Sequence, residues 1–195
     1  MNTSEGETLK SVLGIAGSLR RASYNRRLLN EAAHLGREEL RLRVYEELDQ
    51  VPLFNEEHEH PIPHGVLHLR EAVRAADGLL IATPEYNQSM PGILKNAIDW
   101  ISREEALLKG KPVAIIGATI GSWGTRLAQA AVRQTLAATG ARVMPQPMLF
   151  IARAGERFDS DGRLHDVATV SGLTEVVRAF RLWIDMQAFG VRPRG

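Results

Sequence analysis

Cysteine is absent from this chain of 195 residues, which excludes disulfides, zinc–thiolate centres and thiol nucleophiles. Charge of one sign is equally scarce: 24 Lys and Arg stand against 23 Asp and Glu, a formal net charge of +1. A dedicated nucleic-acid surface needs a basic excess that this balance does not supply. No apolar run approaches the roughly 20 residues of a membrane span, and residues 1–10 are polar and acidic, wrong for a signal peptide. A soluble cytoplasmic protein is therefore expected. Three catalytic signatures are missing: Gly-x4-Gly-Lys-Ser/Thr, Gly-x-Gly-x-x-Gly and the Gly-x-Ser-x-Gly elbow. Their absence disfavours an ATPase, a Rossmann dinucleotide domain and a serine hydrolase. What remains, at 44% hydrophobic and 24% charged residues, is ordinary globular composition for one domain with a full core.

Short apolar runs alternate with helical patterns along the chain. Residues 11–16 read as a buried strand, 25–36 as a helix with Leu28, Leu29, Ala32 and Leu35 on one face, and 40–48 as a second, more exposed strand. A proline-containing loop, 49–64, precedes a helix over 66–76. The third strand is 78–82, and a helix follows with Met90, Ile93, Leu94, Ala97, Ile98 and Ile101 on a strict i, i+3, i+4, i+7 face. Ser89 is its expected N-cap, with Pro91 in the first turn. Residues 112–118 form the fourth strand, 125–139 an alanine-rich helix, 141–144 the fifth strand and 170–189 a last helix. No linker divides the chain, so one domain over 11–189 is expected, with short tails at 1–10 and 190–195. Five strands interleaved with helices imply a parallel sheet covered on both faces. In the order 2-1-3-4-5 its switch point falls between strands one and three, where ligands bind.

The two most unusual loops follow those same strands. Gly17 to Asn25 leads into the first helix, whose N-terminal amides attract anions. Ser18, Ser23 and Asn25 add side-chain donors, and Arg20 offers a bidentate fork to phosphate oxygens. The alternative is a solvated turn whose Ser and Asn only cap a helix. After strand three, Pro84-Glu85-Tyr86-Asn87 presents backbone amides to the polar edge of a planar ring, with Tyr86 alongside; the plainer reading is a turn in which Tyr86 fills surface space. After strand four, the glycine-rich stretch 117–124 can close over the same ligand or stay a mobile loop.

Other clusters carry less. His58, His60, His64 and His68 gather near Glu56, Glu57 and Glu59, but without the His-Glu-x-x-His spacing of zinc hydrolases, so no metal site is expected. Asp77 lies before strand three, at the wrong end for a phospho-acceptor. The alternating charges of 37–47 read as a solvated face.

Gly17-Ser18-Leu19-Arg20, Ser23, Asn25, Pro84-Glu85-Tyr86-Asn87-x-Ser89 and Pro91-Gly92-x-Leu94-Lys95-Asn96-Ala97-Ile98-Asp99-Trp100 together closely resemble the NAD(P)H-dependent FMN reductases, a flavodoxin-like family that includes quinone, chromate and azo-dye reductases. The likeness runs over about residues 11–144. It implies a three-layer sandwich around a five-stranded parallel sheet. It also implies FMN, with its phosphate on Ser18, Arg20, Ser23 and Asn25 beside Tyr24, its ring against Pro84, Glu85, Tyr86, Asn87 and Gln88, and a further contact from Thr119. NADPH or NADH would reduce the flavin, which passes hydride on to quinones, free flavins, chromate or azo compounds in a ping-pong cycle. The cofactor carries the redox chemistry, so no protein acid, base or nucleophile is required. Arg21 and Arg126 are spare cations for the extra phosphate of NADPH. The resemblance further implies a homodimer or homotetramer, with Trp100 and Trp123 expected as exposed aromatic anchors. A second reading, a flavodoxin-type electron carrier, would gain from an acidic docking face, which the charge balance does not suggest.

Overall fold

A computed structural model describes residues 9–103 and 106–190. The expected tails, 1–10 and 190–195, lie outside the described residues except for Leu9, Lys10 and Gly190. Six strands form one parallel sheet: β1 (Lys10–Ala16), β2 (Leu40–Val44), β3 (Gly78–Ala82), β4 (Pro112–Ala118), β5 (Arg142–Val143) and β6 (Leu149–Ile151), in the order β2-β1-β3-β4-β5, with β6 also paired to β4. Register is set by pairs such as Ile15 with Ile81 and Ile81 with Ile115.

The side-chain period of two explains both layers. Leu13, Ile15, Leu79, Ile81, Val113 and Ile115 point to one face, where α2 (His64–Ala75), α3 (Gly92–Ile101) and α4 (Arg126–Ala138) cover them. Val12, Ala16, Leu80, Ala82, Ala114 and Ile116 point to the other, beneath α1 (Tyr24–Leu35) and α5 (Val167–Gly190). The central strands are buried on both faces, so they read as unbroken apolar runs. Each such Leu or Ile contributes about 1.5–3 kcal/mol of burial.

Four expectations need correction. The second strand ends at Val44 rather than at residue 48, because the chain turns into a 3-10 turn, Leu48–Gln50, whose Leu48 is buried. The fifth strand position is split: β5 pairs with Pro112 and Val113, and β6 pairs with Ile116, Gly117 and Ala118. Pro145 and Pro147, which lack the N–H a ladder requires, fall in the gap. Ser89 does not cap α3. Its backbone pairs with Tyr86 in both directions, and the cap is Pro91, with no side-chain hydrogen bond. Trp100 is fully buried instead of exposed. Its indole N–H donates to the Pro52 carbonyl at 2.8 Å, and its ring packs edge-on against Phe54 at 4.9 Å.

Candidate active site

Backbone bonds carry the sheet pattern past the strand ends and bring three loops together at the switch point. The amide of Gly17 donates to the Ala82 carbonyl (2.9 Å), that of Thr83 to Ile116 (3.0 Å) and that of Thr119 to Ile151 (2.9 Å). The packing there is close enough that a Cβ on Gly117 would overlap the Thr125 hydroxyl and the Thr83 carbonyl oxygen, which is why only glycine fits.

Between these loops opens a cleft of about 240 Å3, lined by Ser18, Arg20, Ser23, Tyr24 and Asn25 from the first loop, Pro84, Glu85 and Tyr86 from the second, and Ala118, Thr119 and Ile120 from the third. Nine of the eleven residues expected from sequence lie in this wall. Asn87 and Gln88 do not; they form the tip of the turn after β3. Ala118 and Ile120 fall in the stretch 117–124 expected to close over the ligand, but only Thr119 was singled out there, since small and aliphatic residues carry no polar signal.

Each polar group in the cleft has a distinct local role. The Ser23 hydroxyl caps α1 by accepting from the Arg26 amide at 3.3 Å, leaving its own proton free. The backbone N–H groups of Tyr24 and Asn25 are first-turn donors with no intrahelical acceptor. The Asn25 side chain is committed elsewhere: its amide nitrogen donates to the Ala118 carbonyl, and its oxygen accepts from the Ala118 N–H, both at 2.9 Å. That two-way clasp fixes the end of β4 against α1. Arg20 is exposed and makes no ion pair among the described residues. Tyr24 packs against Phe158 at 5.5 Å and beneath the Arg27 guanidinium.

Glu85 is the finding that sequence could not supply. Its Oε2 accepts from the amides of both Leu127 and Ala128 at 2.9 Å, capping α4 from 42 residues away. Thr125, the residue in the cap position, makes no side-chain cap bond. A carboxylate at a helix N-terminus is favourable electrostatically. The same bonds tie the loop after β3 to the helix after β4.

The turn beyond Glu85 is closed by Tyr86 N–H to Ser89 O (3.1 Å) and Ser89 N–H to Tyr86 O (3.0 Å). Its central residues Asn87 and Gln88 have φ of 50° and 62°, the left-handed pair of a type I′ turn, which favours Asn-Gly. Gln88 therefore sits where a side chain costs about 1–2 kcal/mol. Tyr86 is left half exposed over the mouth of the cleft.

The donor set fits FMN: serine hydroxyls, an arginine and free helix amides suit a phosphate, while a proline-stiffened turn and a tyrosine suit a flat ring. Residues 11–156 match the family of NADPH-dependent FMN reductases. The chain belongs to that family.

The reductase is 43% identical over 175 residues to an NAD(P)H-dependent FMN reductase of Pseudomonas aeruginosa, covering 89% of this chain and 94% of that one. It is 35% identical to a 2-hydroxy-1,4-benzoquinone reductase of a Burkholderia species, covering 87% and 93%. Among solved structures it superposes on the flavoenzyme NAD(P)H:(acceptor) oxidoreductase FerB of Paracoccus denitrificans with a TM-score of 0.85 at 35% identity, over 92% of this chain and 99% of FerB. The sheet order and fold are flavodoxin-like, and the protein is an FMN-dependent, NAD(P)H-consuming oxidoreductase of the quinone reductase type. The electron-carrier reading is not favoured. Among the described residues, no helix is long and apolar enough to cross a membrane.

Proposed function

We propose that residues 11–189 form one FMN reductase domain in which Ser18, Arg20, Ser23 and the first-turn amides of Tyr24 and Asn25 hold the cofactor phosphate. Pro84, Glu85, Tyr86, Asn87 and Gln88 flank the ring, and Thr119 closes the third side. Bound FMN supplies hydride transfer between NAD(P)H and an oxidising acceptor. The chain's own residues bind and orient. Amide donors of the turn after β3 would stabilise negative charge on the bound ring. Tyr86 leaves room for a second planar molecule, and Glu85 locks the two loops to α4. Asn25 acts through the backbone, its side chain being held by Ala118.

The observation that carries this reading is the convergence of three loops, each bearing flavin-compatible donors, on one cleft at the switch point. Half-exposed Tyr86 and exposed Ile120 at the mouth favour a loose acceptor range of quinones, free flavins, chromate and azo compounds, since strong discrimination needs buried polar groups. One relative is named for a hydroxybenzoquinone, which supports quinones as the principal class. NADPH and NADH both serve as reductant, and Arg21 is the cation that would favour NADPH. The exposed apolar residues Tyr86 and Ile120 at the rim support self-association as a homodimer or homotetramer near the cleft. Its need for NAD(P)H fits a cytoplasmic location.

The purified protein should be yellow, release FMN on denaturation and bleach with NAD(P)H under anaerobic conditions, with colour returning on addition of a quinone. A colourless protein that ignores added FMN would overturn the assignment. A monomer by light scattering with full activity would remove the oligomer alone.

A further inference from the structure

Beside the flavin cleft, and sharing Glu85 with it, lies a second hollow of about 480 Å3 lined by Glu85, Gln88, Trp123, Arg126 and Leu127. Three features set it apart from an ordinary surface dimple. Trp123 presents its indole at 79% exposure, next to a half-exposed Leu127. Arg126 lies over the Phe150 ring at 4.7 Å and makes no ion pair among the described residues. Its guanidinium is therefore held by stacking on the ring, while the N–H groups around the edge of that plane have no ion-pair partner among the described residues. Gln88 reaches this hollow from a left-handed backbone, φ 62°, and its side chain has no hydrogen-bond partner among the described residues. Strained backbone clusters at active sites and ligand clamps, which directs attention to Gln88 as a contact. The one acidic group in the wall, Glu85, already accepts two helix amides, so it does not neutralise Arg126.

We propose that this hollow selects acceptors carrying an acidic group: a planar aromatic oxidant of the quinone class lies with its reducible ring at the flavin cleft and its anionic substituent on Arg126, with Trp123 stacking and Gln88 donating from the opposite side. The proposal rests on the FMN reductase reading and adds a specificity residue to it. Arg126 acts on binding and is remote from the hydride, so its loss belongs in KM rather than kcat.

The test compares two naphthoquinones of similar size, 1,4-naphthoquinone-2-sulfonate and neutral 2-methyl-1,4-naphthoquinone, in the FMN-loaded enzyme at about 0.15 M salt, where charges farther than roughly 8 Å are screened. The quantity read is the ratio of their kcat/KM values. Arg126→Ala should lower the sulfonate-to-methyl ratio about tenfold or more through KM for the sulfonate, the loss expected of a hydrogen bond to a charged group. Arg126→Lys should recover part of it. Calorimetric titration of the holoenzyme with non-reducible naphthalene-2-sulfonate should show the same loss of affinity without turnover. An unchanged ratio in Arg126→Ala overturns the proposal. So does an unchanged acceptor ratio accompanied by a higher KM for NADPH relative to NADH, which would give the arginine to the nucleotide phosphate. A wild-type enzyme that oxidises NAD(P)H with neither quinone would instead fail the reductase reading itself.

Discussion

Two loops rise from the carboxyl edge of the sheet and use their side chains in opposite ways. The loop after β2, residues 45–63, is rich in His and Glu, and its polar atoms are spent on the protein. The Pro52 carbonyl accepts from Asn96 Nδ2 at 2.9 Å and from Trp100 Nε1, and the Phe54 amide donates to Asn96 Oδ1 at 2.7 Å. Glu59 accepts from Arg103 Nε at 2.8 Å, and Glu47 lies 2.7 Å from His68 Nδ1. Burial pushes the neighbouring Tyr45 hydroxyl up to about 12, with the Glu47 charge adding to it. The loop after β4, residues 119–125, is mostly glycine, serine and threonine, yet it walls the cleft and leaves Ile120 and Trp123 in solvent. Chemically rich side chains do not by themselves mark a site. Uncommitted groups beside a cavity do.

The largest expected effect lies in the anchored loop. Trp100→Ala removes a fully buried indole and one of the two bonds to Pro52, and should cost about 3–5 kcal/mol in urea denaturation. A loss below about 1 kcal/mol would mean that α3 does not carry this loop. On the open side, Arg20→Ala should weaken FMN by about 1.5–3 kcal/mol, the worth of a hydrogen bond to a charged group. Riboflavin, which lacks the phosphate, should scarcely notice. Equal losses for the two ligands would assign Arg20 to the scaffold. Glu85→Ala removes the cap shared between the loops and should cost about 0.5–2 kcal/mol, with faster hydrogen exchange at the Leu127 and Ala128 amides; unchanged protection there would refute the capping role. Gln88→Gly should raise stability by a few tenths to about 1 kcal/mol, since relief of the left-handed strain is partly offset by glycine's entropy. A destabilised variant would show that the Gln88 side chain has a structural partner. Smallest of all, His58→Ala, at an exposed position, should stay within about 0.5 kcal/mol of the parent. A larger shift would give the histidine cluster a structural role of its own.

The motif of residues 84–100 shows where sequence legibility stops. Its apolar stripe on α3, the position after β3 and the likeness to flavin reductases were all readable locally. The fates of its polar members were not. Asn96 and Trp100 clamp the loop after β2, Lys95 pairs with Asp99 one turn away at 2.7 Å, and Ser89 closes a turn rather than capping the helix. The Glu85 carboxylate caps α4. Each of these except the Lys95 pair depends on a group that folding delivers from elsewhere in the chain or on a turn geometry with no Gly to announce it.

By itself the sequence determined the alternation of strands and helices, the parallel sheet that alternation implies and the two unusual loops after the first and third strands. All of these follow from hydrophobic period and local turn chemistry, which act within a dozen residues. Tertiary structure alone decided that two prolines split the last strand position, that Trp100 is core while Trp123 is surface, that Asn25 clasps Ala118 and Glu85 caps α4, and that Arg126, stacked on Phe150, lines a hollow with no ion pair among the described residues. The reason is physical: the free energy of a polar side chain depends on which partners and how much water surround it, and those are set only when distant segments meet.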